Sequence, residues 1–203
     1  MYVAFVTPRL PLTSWTATEP VKESSMDGMP NRDSVEEIAI VVLDPTHVDR
    51  VNLVASRMRR TLVEVLGLER GEAMCSLDWL RARVLWHLDP TNCVGQVFLA
   101  VCSEVVLGHT IVRIENDAGA HPHGLFSTIY VDPEQRRRGV GSRLLFAGER
   151  WFRGNGVEKF ATKTAKANAK LVELFGRHGY NVVGIDEENQ MVRLEYSGGE
   201  RSP

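Results

Sequence analysis

The segment Ile129-Tyr-Val-Asp-Pro-Glu-Gln-Arg-Arg-Arg-Gly-Val-Gly-Ser-Arg-Leu-Leu145 leaves the backbone few choices. An apolar strand running to Val131 meets the turn-forming Pro133, then Arg136, Arg137 and Arg138, then Gly139 and Gly141, with a helix opening near Gly141. Glycines let a ligand approach the backbone with no side chain between, and the N–H groups of a first helical turn point outward at the positive end of the dipole. With three guanidinium groups around it, the turn is an anion cradle. Each charge-assisted bond to a phosphate oxygen contributes about 1.5–3 kcal/mol, and the helix terminus adds a few tenths to about 1 kcal/mol. A pyrophosphate fits such a site.

The rest of the chain limits what the cradle can belong to. With 203 residues, 43% of them hydrophobic, one domain can bury a core without disulfides or metal. A net charge of -2 supplies no global field for nucleic acid or an anionic membrane, so the basic cluster acts locally. Cys75, Cys93 and Cys102 form no C-x-x-C pair and leave an odd thiol, which fits a reducing cytoplasm; as residues they read first as small buried hydrophobes. No apolar run reaches the ~18–20 residues that span a bilayer. Pro8, Arg9 and Pro11 interrupt the apolar start, so no signal peptide is read.

Residues 1–35 lack a sustained period and are punctuated by Pro20, Gly28 and Pro30, which predicts a disordered arm, or one that packs on a partner subunit; Met26 and Met29 are alternative starts. The folded domain is expected over 36–196, with a disordered tail over 197–203. Glu37–Leu43 reads as a first strand. Apolar residues from Val48 to Leu66 recur at three- and four-residue steps, with Gly67 and Gly71 near the stop, and a second helix starts after the cap Ser76 and ends at Asp89-Pro90. Val94–Cys102 and Val105–Ile114 read as strands joined at Ser103-Glu104, and Leu125–Val131 as the strand feeding the turn. A helix to about Phe152, a strand over Phe160–Thr164, a helix over Asn168–His178 and a hairpin of Val182–Ile185 with Met191–Tyr196 complete the domain.

Arg136-x-x-Gly139-x-Gly141, preceded by Val131-x-Pro133, resembles motif A of the GNAT superfamily of N-acetyltransferases, (Gln/Arg)-x-x-Gly-x-(Gly/Ala). Asn168, Leu174, Gly179 and Tyr180 are similar to the family's following helix, and the two motifs together span about Leu125 to Tyr180. The resemblance implies an α/β domain: a mixed, mostly antiparallel central sheet with helices on both faces, and two helices after the first strand.

It also implies acetyl-CoA as cosubstrate, an amine acceptor and, commonly, a homodimer. The pyrophosphate would lie on Arg136, Arg137, Arg138, Gly139, Val140, Gly141 and Ser142. The pantetheine arm would lie along the backbones of Ile129 and Val131, with Ile129 N–H donating to the tetrahedral oxyanion, and Asn168 and Phe175 would complete the cofactor contacts. Phe175 departs from the family, many of whose members carry there a tyrosine thought to protonate the leaving thiolate. No general base is universal in the family. Glu104, His109, His121 and His123 are the nearest titratable groups by sequence, with His123 and His121 ranked first because they precede the strand; a solvated loop histidine is the plain alternative. By position the helical pair walls the acceptor pocket, which nominates Arg57, Arg59, Arg60, Glu64, Glu69, Glu72, Trp79 and Trp86, or else a solvated charged face with core aromatics.

Three other classes fit less well. A dinucleotide-binding oxidoreductase would need a third glycine where Leu144 stands, and a mirrored βαβ half. Asp117, His121 and His123 are too few for a metal site, and one arginine triplet lacks the extended basic face of a nucleic-acid binder. A non-catalytic acyl-CoA-binding module stays open, because of Phe175 and the missing base.

Overall fold

The computed structural model describes residues 37–116 and 121–197. The arm expected over 1–35, Asp117, and the tail apart from Ser197 lie outside the described residues. Ser197 itself is tied to Gly179 through N–H···O at 3.2 Å.

The chain runs β1 (Ala39–Val42), α1 (Val48–Leu66), α2 (Leu68–Met74), α3 (Leu77–Leu88), β2 (Gly95–Cys102), β3 (Val105–Glu115), β4 (His123–Val131), a single 3-10 turn (Pro133–Gln135), α4 (Val140–Gly154), β5 (Phe160–Ala165), α5 (Ala169–Arg177), β6 (Tyr180–Asp186) and β7 (Met191–Tyr196). The strands form one sheet in the order β1-β2-β3-β4-β5-β7-β6. All neighbours are antiparallel except β4 and β5.

Strand alternation divides the core in two. Val97 and Leu99 of β2 pack with Val51, Val54 and Ala55 of α1 and Leu80 and Val84 of α3, while Phe98 and Ala100 pack with Leu144, Leu145 and Phe152 of α4 and Phe175 of α5. Helices therefore cover both faces. Ser76 caps α3, its hydroxyl accepting from Trp79 N–H at 3.1 Å, and Asn168 caps α5. The β2–β3 hairpin turns on Ser103 (φ 45°) and Glu104 (φ 68°), the two left-handed residues that a tight two-residue turn requires.

Two features differ from the sequence expectation. Three helices follow β1 rather than two, because Gly71 does not stop a helix. It sits in α2 against α1, where a Cβ would fall 2.5 Å from Val63 Cα. Close packing, not termination, is its role. The terminal hairpin forms as expected, but β7 inserts between β5 and β6. Val192 and Leu194 of β7 are buried, whereas Val182, Val183 and Ile185 of the edge strand β6 are exposed. The apolar content of both strands is similar, so the sequence did not say which lies inside.

Gly124 lets β4 pass the ring of Phe152. An added Cβ would lie 2.5 Å from Phe152 Cδ1, within a fully buried aromatic cluster. Gly124→Ala is therefore expected to destabilise by about 1–3 kcal/mol through overpacking, read as a lower urea midpoint at unchanged m-value.

Candidate functional site

The site is built where the sheet opens. β4 and β5 are in register only over Gly124↔Phe160, Leu125↔Ala161 and Phe126↔Thr162, and Thr162 Oγ1 donates to Phe126 O at 3.1 Å as the last tie. β4 runs on to Val131 and β5 to Ala165 with no further pairing between them. The parting coincides with a bulge: Ile111 faces Thr128 and Val112 faces Phe126, so Ser127 is the extra residue of β4.

Ladder parity decides which peptide groups face the gap. Asp132 N–H donates to Leu107 O at 2.9 Å. Two residues on, His109 and Tyr130 are therefore the next bonded pair. Ile129 and Val131, opposite Thr110 and Gly108, turn their N–H and C=O groups away from β3 and into the gap. Val131 O accepts there from Arg136 Nε at 3.0 Å.

The start of α4 lies at the same end. Arg137 (φ 66°) and Gly139 (φ 79°) are left-handed and curl the turn, and Gly139 O accepts from Arg143 N–H at 3.1 Å. Among the described residues no backbone carbonyl accepts from the N–H groups of Arg137 to Ser142. A Cβ on Gly141 would meet Leu174 of α5 at 3.2 Å, so the second glycine serves helix packing as well as backbone access.

The three arginines are not equivalent. Arg136 is committed: Nη1 and Nη2 each lie 2.8 Å from the Glu64 carboxylate, and Lys170 Nζ approaches the same carboxylate at 2.5 Å. Arg136, with Lys170 adding and burial opposing, holds the Glu64 carboxyl down at about 2. Glu64 stands on α1 and Lys170 on α5, which cover opposite faces, so this contact reaches across the parted end of the sheet. Arg136, expected from the sequence among the anion ligands, is thus already engaged by a carboxylate. Arg137, 75% exposed, makes only a 3.4 Å contact to Glu173, and Arg138 leans on Gln135 Oε1 at 2.7 Å.

A family model described as the acetyltransferase (GNAT) family matches residues 66–180. The chain belongs to the GNAT acetyltransferase family. A 70-residue stretch is 36% identical to a mycothiol acetyltransferase of Propionibacterium freudenreichii; it spans 34% of this chain and 22% of that protein, so less than a quarter of that relative is matched. The fold is similar to the PaiA N-acetyltransferase of Thermoplasma acidophilum, solved in complex with coenzyme A, with TM-score 0.62, 15% identity and coverage of 78% of this chain and 98% of that one. It is also similar to an aminoglycoside 6'-acetyltransferase type Ii, with TM-score 0.58, 16% identity and coverage of 77% and 95%.

On the α1–α3 face of this GNAT sheet, Arg57 is buried in an ion pair with Asp132 and donates to Val106 O at 2.6 Å, which pins the start of the turn to α1 and β3. Its guanidinium lies 5.6 Å from the Tyr130 ring, on which His109 stacks. Further along, His87 Nδ1 lies 2.7 Å from Arg83 O, and Nε2 lies 3.5 Å from Arg113 Nη1. Arg113 donates to Ser127 Oγ at 2.6 Å and pairs with Glu115. Arg83 stacks on Trp86 at 4.0 Å. A separate cleft of about 420 Å³ is lined by Ser56, Arg59, Arg60, Val63, Glu64, Leu68, Glu72 and Leu77.

Several residues nominated from sequence stand elsewhere than expected. His123 is not in a loop but buried in β4, 3.5 Å from Glu115, and lies six residues from Ile129, about 20 Å along a strand. His121 is exposed before β4. Glu104 sits on the β2–β3 turn with its side chain 94% exposed, again six residues beyond the Thr110 that faces Ile129. None of the three reaches the gap, and neither does buried His109, which lies under α1. Phe175, expected among the cofactor contacts, is fully buried between Phe126 and Tyr180. Asn168 has both amide ends occupied, by Leu171 N–H and Thr164 Oγ1, and Ser142 Oγ meets His178 Nε2 at 2.8 Å. Trp79 is exposed, and Glu69 lies exposed on α2. Arg83, Arg113 and Ser127 were missed; the signal was Arg113 itself, a charge inside an apolar strand.

Among the described residues no group of three His, Cys, Asp or Glu side chains is placed to hold a metal, and no helix is long and apolar enough to cross a membrane.

Burial, with Arg83 and Arg113 adding, lowers His87 to about 3, and burial with Arg57 lowers His109 to about 3. A depressed folded pKa means that the unfolded chain binds more protons below its own pKa of about 6.5. These two groups thus contribute stability that is full above about pH 6.5 and lost as pH falls toward 3. Between pH 6.5 and 5 the urea midpoint is expected to fall, by up to about 1.4 kcal/mol per pH unit for each histidine, and His109→Gln should flatten that slope.

Proposed function

We propose that the protein is an acetyl-CoA-dependent N-acetyltransferase that moves the acetyl group to a primary amine by direct attack in a ternary complex. The observation that carries this reading is the parted sheet: a row of peptide groups at Ile129 and Val131 faces a gap whose far end is a turn with outward N–H groups. A pantetheine arm carries amides spaced to bond to such a row, and a diphosphate is the anion that the turn suits. In this reading the diphosphate rests on the peptide nitrogens of Arg137 to Ser142, with positive charge from Arg137 and Arg138. Arg136 shapes the turn through Val131 O and Glu64 rather than donating freely.

With the arm in the gap, the thioester carbonyl lies at Ile129, whose N–H donates to the oxygen as it becomes an oxyanion. The amine nitrogen attacks the carbonyl carbon, the tetrahedral intermediate collapses, and the C–S bond breaks to release coenzyme A as thiolate. A lysine-like amine of pKa ~10.4 is neutral in only about one in a few thousand molecules at pH 7, so its proton must leave before or during attack. No candidate base from the sequence lies at the gap, so in this reading water on the open side takes the proton. The thiolate is a fair leaving group, since thiol pKa values lie near 8.5, so an enzymatic acid is not required.

The same placements motivate the second reading, a non-catalytic acyl-CoA-binding module. Acetyl-CoA at about 100-fold over its Kd should stabilise by about 2.7 kcal/mol, raising the melting temperature by about 5–10 °C. Gly141→Glu should abolish that shift by putting a carboxylate beside the diphosphate, and an unchanged melting curve at millimolar acetyl-CoA would overturn the proposal. Release of coenzyme A across an acceptor library separates the two readings, because the module would bind and never turn over.

A further inference from the structure

In the acetyltransferase reading the start of α4 holds the cofactor, and the face of the sheet opposite α4, covered by α1 and α3, is taken for the acceptor. Its polar lining next to the bulge is mostly cationic. Arg113 reaches Ser127, the residue at which β4 leaves β5, through a 2.6 Å bond from Nη1. Glu115 takes the opposite edge of that guanidinium. Ser127 stands two residues from Ile129, about 7 Å along the strand. His87 of α3 brings its Nε2 to 3.5 Å from Arg113 Nη1, and one turn before it on the same helix stands Arg83, half-buried, its guanidinium held 4.0 Å from the Trp86 ring. Among the described residues no carboxylate lies within ion-pair distance of Arg83, although Arg113 is close enough to repel it. Lys163, exposed on β5, adds a third positive charge to the neighbourhood of Glu115.

This arrangement costs free energy in the isolated protein. Arg83 is desolvated, next to another guanidinium, and burial followed by the Arg113 charge pulls its pKa below the usual value. His87 does not relieve it. With Nδ1–H donating to Arg83 O, the neutral ring offers only the Nε2 lone pair, and that faces Arg113. One carboxylate, Glu115, pairs with Arg113 and lies 3.5 Å from His123, and it also acts on Arg83 and Lys163 from beyond ion-pair distance. A second anion placed between Arg83 and Arg113 would complete the pairing, and a planar guanidinium suits carboxylate or phosphate oxygens.

We propose that Arg83 and Arg113 select the acceptor: the amine that is acetylated also carries an anionic group, carboxylate or phosphate, a few bonds from its nitrogen. The anion takes the Arg83 guanidinium on the α3 side of the bulge, Arg113 adding charge while its own edges stay on Glu115 and Ser127, and the amine points across Ser127 toward the gap. Polycationic amines are disfavoured there by like charge. This rests on the acetyltransferase reading above and narrows its substrate class.

The experiment is a matched acceptor panel assayed by coenzyme A release: lysine against cadaverine, phenylalanine against phenethylamine, a dipeptide with a free C-terminus against its amide, ethanolamine phosphate against ethanolamine, and spermidine. The anionic member of at least one pair should have a kcat/KM at least tenfold above its partner; the carboxylate and phosphate pairs tell the two sources apart. In Arg83→Met, which keeps an unbranched stem on Trp86, that ratio should fall tenfold or more through KM, and Arg83→Lys should restore most of it. Equal or better turnover of the uncharged or cationic partners overturns the inference. So does an unchanged ratio in Arg83→Met. Turnover of no anionic amine, with the acetyl-CoA melting shift intact, overturns it while leaving the cofactor reading in place; loss of the shift itself overturns the cofactor reading.

Discussion

A sheet that parts in its middle leaves peptide groups facing nothing, and the site follows from how this chain tolerates that. Backbone N–H and C=O groups inside a sheet are normally paired, since an orphaned buried pair costs free energy comparable to lost hydrogen bonds. Here the bulge at Ser127 ends the β4–β5 ladder after Thr162, while β7 takes the other edge of β5 from Ala161 to Ala165. Thr164 is further held by Asn168 at the start of α5. β5 is thus drawn toward its other neighbours, and the peptide groups of Ile129 and the N–H of Val131 are left facing the gap, Val131 O being taken by Arg136.

Charges at the turn end of the gap are largely neutralised within the protein. The Arg57–Asp132 pair is buried where the turn begins, and removing one member of such a pair is far more costly than replacing both. It therefore fixes position rather than offering a binding group. Glu64, Arg136 and Lys170 join elements from opposite faces at the open end. What remains for an anion is mostly backbone: successive N–H groups at the start of α4, on a turn whose curvature needs left-handed residues at Arg137 and Gly139. Peptide dipoles held by the fold require no side-chain ordering when a ligand arrives, which favours them over exposed arginines.

The two faces have different tasks. α4 and α5 bury a continuous aromatic cluster through Phe126, Phe152, Phe175 and Tyr180, and that rigid side carries the turn. The α1–α3 side buries less and keeps polar groups near the gap. Similar folds include a PaiA N-acetyltransferase and an aminoglycoside acetyltransferase, so the architecture by itself does not choose an acceptor. Selection has to come from side chains such as Arg83 and Arg113.

From the sequence alone, the strand-turn-helix around Pro133 and Gly139, the caps at Ser76 and Asn168, and the terminal hairpin were determined, because each depends on residues a few positions apart. Val131 and Gly141 could be placed in one motif for the same reason. Only tertiary structure decided that Gly71 packs a third helix, that β7 lies inside β6, that Phe175 belongs to the core, and that Arg136 is engaged by Glu64, 72 residues away. It also brought Arg83, Arg113 and Ser127 together from three elements. Local patterns record backbone preference, whereas ion pairs and burial depend on which distant surfaces meet, and no spacing within one element encodes that.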